Sequence, residues 1–148
     1  MCGEIARCEI VKCDVGDYDI LVGIWERSVR ATHDFLNEEI IDEIRSALIT
    51  DYFPFVDLYG IVANGILSGF IGLSSGTIEM LFIDSAFRNK GYGSALIDFA
   101  KRRGATKVDV NEQNRKAFTF YKSKGFYVIA RDETDADGRP FPILHLSL

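Results

Sequence analysis

The sequence predicts a mixed α/β fold, a sheet of about seven strands with about four helices, and not a doubly wound one. Three observations carry this. Two stretches of helical apolar period stand together near the start, over residues 17–32 and from 37 to the break at Pro54. Asn64-Gly65, a two-residue hairpin signal, then joins two apolar runs, and Ser74-Ser75-Gly76 turns into a third. Only beyond Gly93 do helix and strand alternate.

The elements follow in order. Residues 5–13 alternate loosely and read as a first strand. In the first helix, Ile20, Leu21, Ile24, Trp25 and Val29 recur at helical spacing. Trp25 on that stripe reads as core. Asn37 reads as the N-cap of the second helix, with Glu38 and Glu39 in its first turn, where acids suit the dipole. Its apolar face is Ile40, Ile41, Ile44, Ala47 and Leu48. Strands are expected over residues 59–63, 66–73 and 77–84, a helix over 93–103 stopped by Gly104, and a strand over 107–111. A helix over 114–124 closed by Gly125 and strands over 126–131 and 142–148 complete the chain.

Composition narrows the function classes. The 148 residues fit one domain, 1–148, large enough to bury a core without staples. Hydrophobic residues at 47% and charged residues at 26% are those of a globular domain. Seventeen Lys plus Arg against 22 Asp plus Glu give −5, a poor match to nucleic acid and a weak match to a cationic or amine substrate. Cys2, Cys8 and Cys13 form no disulfide framework and no C-x-x-C, and with only His33 and His145 a metal site lacks ligands, so no metal is expected. The sequence shows no signal peptide and reads as a reducing, cytoplasmic protein. Residues 58–78 carry no formal charge over 21 positions, enough to span a bilayer, but five glycines and the Asn64-Gly65 turn make them strands.

Chemistry concentrates in two segments. Arg88-Asn89-Lys90-Gly91-Tyr92-Gly93-Ser94 follows a strand and opens a helix. Unpaired N–H groups at a helix N-terminus, approachable through glycine and flanked by Arg88 and Lys90, read as a pyrophosphate cradle, the alternative being a Gly-containing loop that merely starts a helix. Neither G-x-x-x-x-G-K-[ST] nor G-x-G-x-x-G is present, so a nucleotide energy source is not indicated. The second segment is Asn114-Arg115-Lys116-Ala117-Phe118-Thr119-Phe120-Tyr121, closing on Gly125-Phe126.

Together, R-x-x-G-x-G after a strand ending Leu81-Phe82-Ile83-Asp84, and N-x-x-A-x-x-F-Y-x-x-x-G-F about 20 residues later, resemble the GNAT family of acetyl-CoA-dependent N-acetyltransferases. Residues 25–36, 81–84, 111–114 and 138–142 resemble its bacterial YjaB-type branch. Ser85 departs from the family's usual proline but keeps the backbone course. The resemblance implies the GNAT fold, a central mixed and mostly antiparallel sheet. It implies acetyl-CoA as co-substrate and a protein or small-molecule amine as acceptor, with neither nucleic acid nor membrane as partner, in a monomer or homodimer.

The resemblance also implies site roles. The backbone of Leu81, Phe82 and Ile83 would pair with the pantetheine arm, the Leu81 N–H serving as oxyanion donor. Residues Arg88 through Ser94 would hold the pyrophosphate, Asn114 would bond the arm, and Tyr121 would be the general acid at sulfur. An amine of pKa about 10.4 must also lose a proton. The family's strand glutamate falls at Thr77. By period 2, Thr77, Glu79 and Leu81 share one face, which makes Glu79 the first candidate base, ahead of His33 and then Asp109. The alternative function is a CoA-sensing module without turnover. The acceptor groove would be walled by residues 25–36 and 132–142. There Asp34, Asp132, Glu133, Asp135 and Asp137 suit a cationic acceptor, or simply solvate the loops.

Overall fold

The computed structural model describes residues 8–32 and 36–148. Strand β1 (Cys8–Lys12) leads through a short turn into helix α1 (Tyr18–Thr32). Helix α2 (Glu38–Ala47) runs on into a wide turn at Leu48–Tyr52 and a tight one at Phe53–Phe55, where Pro54 stops it. As the sequence predicts, the Asn37 side chain caps α2, accepting from the Ile40 N–H at 2.8 Å. Then come β2 (Asp57–Ala63), β3 (Ile66–Ser74), β4 (Thr77–Ile83), α3 (Tyr92–Arg102), β5 (Lys107–Asn111), α4 (Arg115–Ser123), β6 (Tyr127–Asp132) and β7 (Ile143–Ser147). The order of elements is the expected one, with ends moved by a residue or two; α3 starts at Tyr92, not Gly93. The uncharged stretch 58–78 is β2, β3 and the start of β4, and among the described residues no helix is long and apolar enough to cross a membrane.

The sheet order is β1-β2-β3-β4-β5-β7-β6, antiparallel except between β4 and β5. Both tight hairpins use left-handed residues, Asn64-Gly65 (φ 52 and 82) and Ser75-Gly76 (φ 48 and 82), the geometry that suits the strand twist. One face carries α3 and α4 over Ile71, Ile78, Val108, Leu144 and Leu146. The other carries α1 and α2, with Trp25 and Leu21 packed over Leu58 and Phe70.

Two features of β4 shape the rest. First, its ladder with β5 holds only at Thr77↔Lys107 and Ile78↔Val108, and the strands then part. Second, its register with β3 jumps from Leu73↔Ile78 to Gly72↔Met80, which makes Glu79 the extra residue of a bulge. Period 2 therefore fails here. Ile78 and Leu81, three apart, both join the core under α3, whereas Met80 and Phe82 pack toward α1. The expected common face of Thr77, Glu79 and Leu81 is corrected: Leu81 lies on the α3 side.

A paired charge anchors the end of β4. Asp84 is buried, and Arg27 of α1 grips its carboxylate through Nε (3.0 and 3.1 Å) and Nη2 (2.8 Å). Arg27 is the main reason the Asp84 pKa is lowered; the backbone N–H groups of Ala86 and Ser85 lower it further. A carboxylate with a depressed folded pKa stabilises the fold above its unfolded value, about 3.9, and loses that contribution as pH falls through the folded one. Asp84→Asn is expected to cost about 2 kcal/mol at pH 7, since removing one partner strands the other. In denaturant titrations the gap between wild type and variant should narrow as pH falls below about 4 toward the lowered folded value, beneath which both lack the charge. A gap that is constant with pH would mean the ion pair contributes nothing.

Candidate active site

Where β4 and β5 part, a cavity of about 420 Å³ opens between the β4 edge, the start of α3 and one side of α4. Its size suits a small-molecule arm. Its floor is the backbone of Leu81, Phe82 and Ile83. The Asp84 N–H donates to the Ser68 carbonyl at 2.9 Å. By the alternation of an antiparallel ladder, the Phe82 N–H also points to β3, while those of Leu81 and Ile83 point into the gap. With no β5 ladder beyond Ile78, they face the cavity as an open strand edge.

The start of α3 forms one end. Gly91 is its N-cap in the left-handed region (φ 84), where a Cβ would be strained, and no side chain caps the helix. Asn89 is left-handed too (φ 60), which curls the loop toward the helix axis. The first N–H groups of an α-helix have no intrahelical acceptor, so those at Gly93 and Ser94 are donors for an anion. Arg88 adds a nitrogen: its Nη2 is buried and has no partner. A buried unpaired guanidinium nitrogen beside an uncapped helix start can hold an anion.

Helix α4 forms the far wall. The Asn114 side chain caps it, accepting from the Ala117 N–H at 3.2 Å, so its oxygen is already engaged. Tyr121 is buried between Phe120 and Phe126, with ring centroids at 5.5 and 6.0 Å, and borders the cavity. Burial alone pushes its phenol pKa well up, so it keeps its proton through neutral pH.

The cavity brings together Leu81, Phe82, Ile83, Arg88, Asn89, Gly91, Tyr92, Gly93, Ser94, Asn114 and Tyr121. Lys90 is exposed and does not line it. Glu79 does not line it either: it stands at the bulge, with its pKa raised by desolvation and by the charge of Asp109. His33 and Asp34 lie outside the described residues. Ser28 and Thr32 of α1 line the cavity; both fall in the 25–36 stretch expected to wall the acceptor groove, though neither is singled out by the sequence. Ser28, three residues after Trp25 and so on the buried face, was the available signal.

Other expectations sort quickly. Cys13 is buried and its pKa is pushed up to about 11, mainly by desolvation, which makes it unreactive. Among the described residues no cluster of His, Cys, Asp or Glu could hold a metal. The acidic loop is largely spent within the chain. Arg139 meets Asp137 at 2.9 Å, Asp135 at 3.5 Å and Glu43 of α2 at 2.9 Å; Arg131 meets Glu133 at 3.2 Å. Asp132 is bonded to His145 at 2.7 Å. These carboxylates tie the β6–β7 connection to its neighbours, the solvated-loop alternative.

Comparison with known proteins agrees with this geometry. An acetyltransferase (GNAT) domain model matches residues 35–145. The peptidyl-lysine N-acetyltransferase YjaB of Salmonella typhimurium is 40% identical over 129 residues, 85% of this chain and 88% of its own. The solution structure of apo YjaB from Escherichia coli superposes with a TM-score of 0.86 at 37% identity, covering 95% of this chain and 96% of that one. PaiA N-acetyltransferase from Thermoplasma acidophilum, solved with coenzyme A, shares the fold at 21% identity and a TM-score of 0.70, with 95% of this chain and 99% of that one covered. With a GNAT domain model matching residues 35–145 and a relative 40% identical over most of both chains, the chain belongs to the GNAT family of acetyltransferases.

Proposed function

We propose that the protein moves the acetyl group of acetyl-CoA to a primary amine, of the protein-lysine class, by direct attack in a ternary complex. The observation that carries this is the pairing of an open β4 edge with an uncapped α3 N-terminus and an unpartnered Arg88 nitrogen, in a chain 40% identical to peptidyl-lysine N-acetyltransferases. The cavity fits the group: Leu81 and Ile83 offer strand-like N–H donors to an amide-bearing arm, and Arg88, Gly93 and Ser94 offer donors to a pyrophosphate. Bound acetyl-CoA supplies a thioester as electrophile.

The chain's own residues would do the following. The Leu81 N–H donates to the carbonyl oxygen as negative charge builds there. Glu79 takes a proton from the amine, directly or through water; its raised pKa brings it nearer neutrality, where a base works best. Tyr121 donates toward the leaving sulfur. In total, an ammonium and a thioester become an amide, a thiol and one proton, and no bond to the protein forms.

The test is incubation with acetyl-CoA and a lysine-bearing peptide. Acetyl-lysine should appear by mass spectrometry in step with CoA release, at a rate reduced about 10²-fold in Glu79→Gln, as for loss of a general base. Tight acetyl-CoA binding with no product from any amine would favour the sensing module instead. An unchanged Glu79→Gln rate would remove Glu79 from the mechanism.

A further inference from the structure

The parting of β4 and β5 leaves a row of ionisable side chains on the sheet face away from α3. The parallel register pairs Ile78 with Val108, so Glu79 and Asp109 are the next residues on either side of the opening. Val108 and Val110 point into the α3 core, which sets Asp109 on the opposite face. Across the next ladder Asp109 stands directly opposite His145 of β7. The imidazole bridges two strands: Nδ1 lies 2.6 Å from Asp109 Oδ1, and Nε2 lies 2.7 Å from Asp132 Oδ2 on β6. Ionised carboxylates only accept hydrogen bonds. With an acceptor at each nitrogen, the ring must donate from both, and the form that does so is the imidazolium.

We propose that His145 is a positioning residue for acetyl transfer: its positive charge neutralises Asp109 and so keeps the neighbouring Glu79 ionised and able to take the acceptor's proton. The inference rests on the reading of Glu79 as base. Desolvation first, and then the Asp109 charge, raise the Glu79 pKa, and the residues of β3 facing the bulge, Gly72 and Leu73, bring no charge. On His145 itself the hydrogen bonds it donates to Asp132 and then to Asp109 act in one direction, raising its pKa and holding the proton there. Lys107 on β5 and Tyr127 on β6 share this face by register. Without the imidazolium, Asp109 would act on Glu79 at full strength. Without Asp109, Glu79 would lose its repulsive neighbour. The two changes push Glu79 in opposite directions.

That opposition is the test. The acid limb of kcat/KM, measured with acetyl-CoA and a lysine peptide, should move up by about half a pH unit in His145→Gln, the scale of one charge acting across two strands. In Asp109→Asn it should move down by a similar amount, about half a unit. The Glu79 side-chain carboxyl, titrated by ¹³C NMR in the same three full-length proteins, should follow both shifts without any need for turnover. A merely structural role would slow both variants and leave the limb in place. An unmoved Glu79 carboxyl in both variants overturns the proposal. A carboxyl that moves while the limb stays overturns Glu79 as the base, and the role of His145 with it. Absence of acetylation by the wild type overturns the reading of the function instead.

Discussion

Tyr121→Phe is expected to lower kcat by about 10²-fold and to leave acetyl-CoA affinity unchanged. The phenol is buried among Phe120 and Phe126, and replacement by phenylalanine keeps those ring contacts. The loss is therefore confined to one O–H at the cavity wall. Burial raises the phenol's pKa, which favours the protonated form through neutral pH. A group held protonated is a standing donor. Full transfer to a thiolate of ordinary pKa about 8.5 is uphill from such a phenol, so the donor works by hydrogen-bonding the sulfur as charge develops. Removing one donor from a developing anion costs about 3 kcal/mol in rate, or about 10². The same raised pKa predicts that kcat shows no falling limb from Tyr121 up to about pH 10, its ordinary value. Steady-state rates, calorimetric acetyl-CoA affinity and melting curves for the two proteins decide this. An unchanged kcat would take Tyr121 out of the reaction, and a lost acetyl-CoA affinity would make it a binding residue.

What the sequence made legible is what local pattern encodes. Helix α1 has an apolar stripe, Asn37 caps α2, Asn64-Gly65 closes a hairpin, and the cradle sits between a strand and a helix; each is set within a dozen residues and each stands in the structure. Most of the misses are pairings at long range. Arg27 and Asp84 are 57 residues apart, and nothing in either neighbourhood points to the other. His145 alternates with Leu144 and Leu146, and the structure has it on the less buried side of β7. Its bridge from Asp109 to Asp132, however, depends on β7 inserting between β5 and β6, a property of sheet order. The bulge at Glu79 is a register feature between two strands and leaves no mark on alternation read from one. The neutralised acidic loop was within reach. Asp135, Asp137 and Arg139 alternate over five residues, and a turn of that length can fold its own charges together.

Gly93→Glu should separate the fold from its ligand most sharply. Gly93 is the second residue of α3, and a Cβ there would meet the Phe120 ring at 3.5 Å and Ile83 at 3.9 Å, ordinary van der Waals contact. Its φ is not in the left-handed region, unlike that of Gly91, so a side chain enters without strain. Glutamate in the first turn of a helix is favourable by about 0.3–1 kcal/mol and lacks glycine's entropic cost. The melting temperature should hold or rise. Binding should do the opposite. The new carboxylate sits at the uncapped N–H groups and Arg88, the same donors a pyrophosphate would need, and repels its charge. Acetyl-CoA affinity, read by calorimetry, should fall by 100-fold or more, about 2.7 kcal/mol. Gly91→Ala makes the contrast: there a Cβ meets nothing within 4 Å but is forced to φ 84, so stability should drop by about 1 kcal/mol, while the donors stay free. Full affinity in Gly93→Glu would mean that the phosphates bind elsewhere. A melting temperature that collapses with the affinity would mean that the start of α3 is held by packing and not by its open donors.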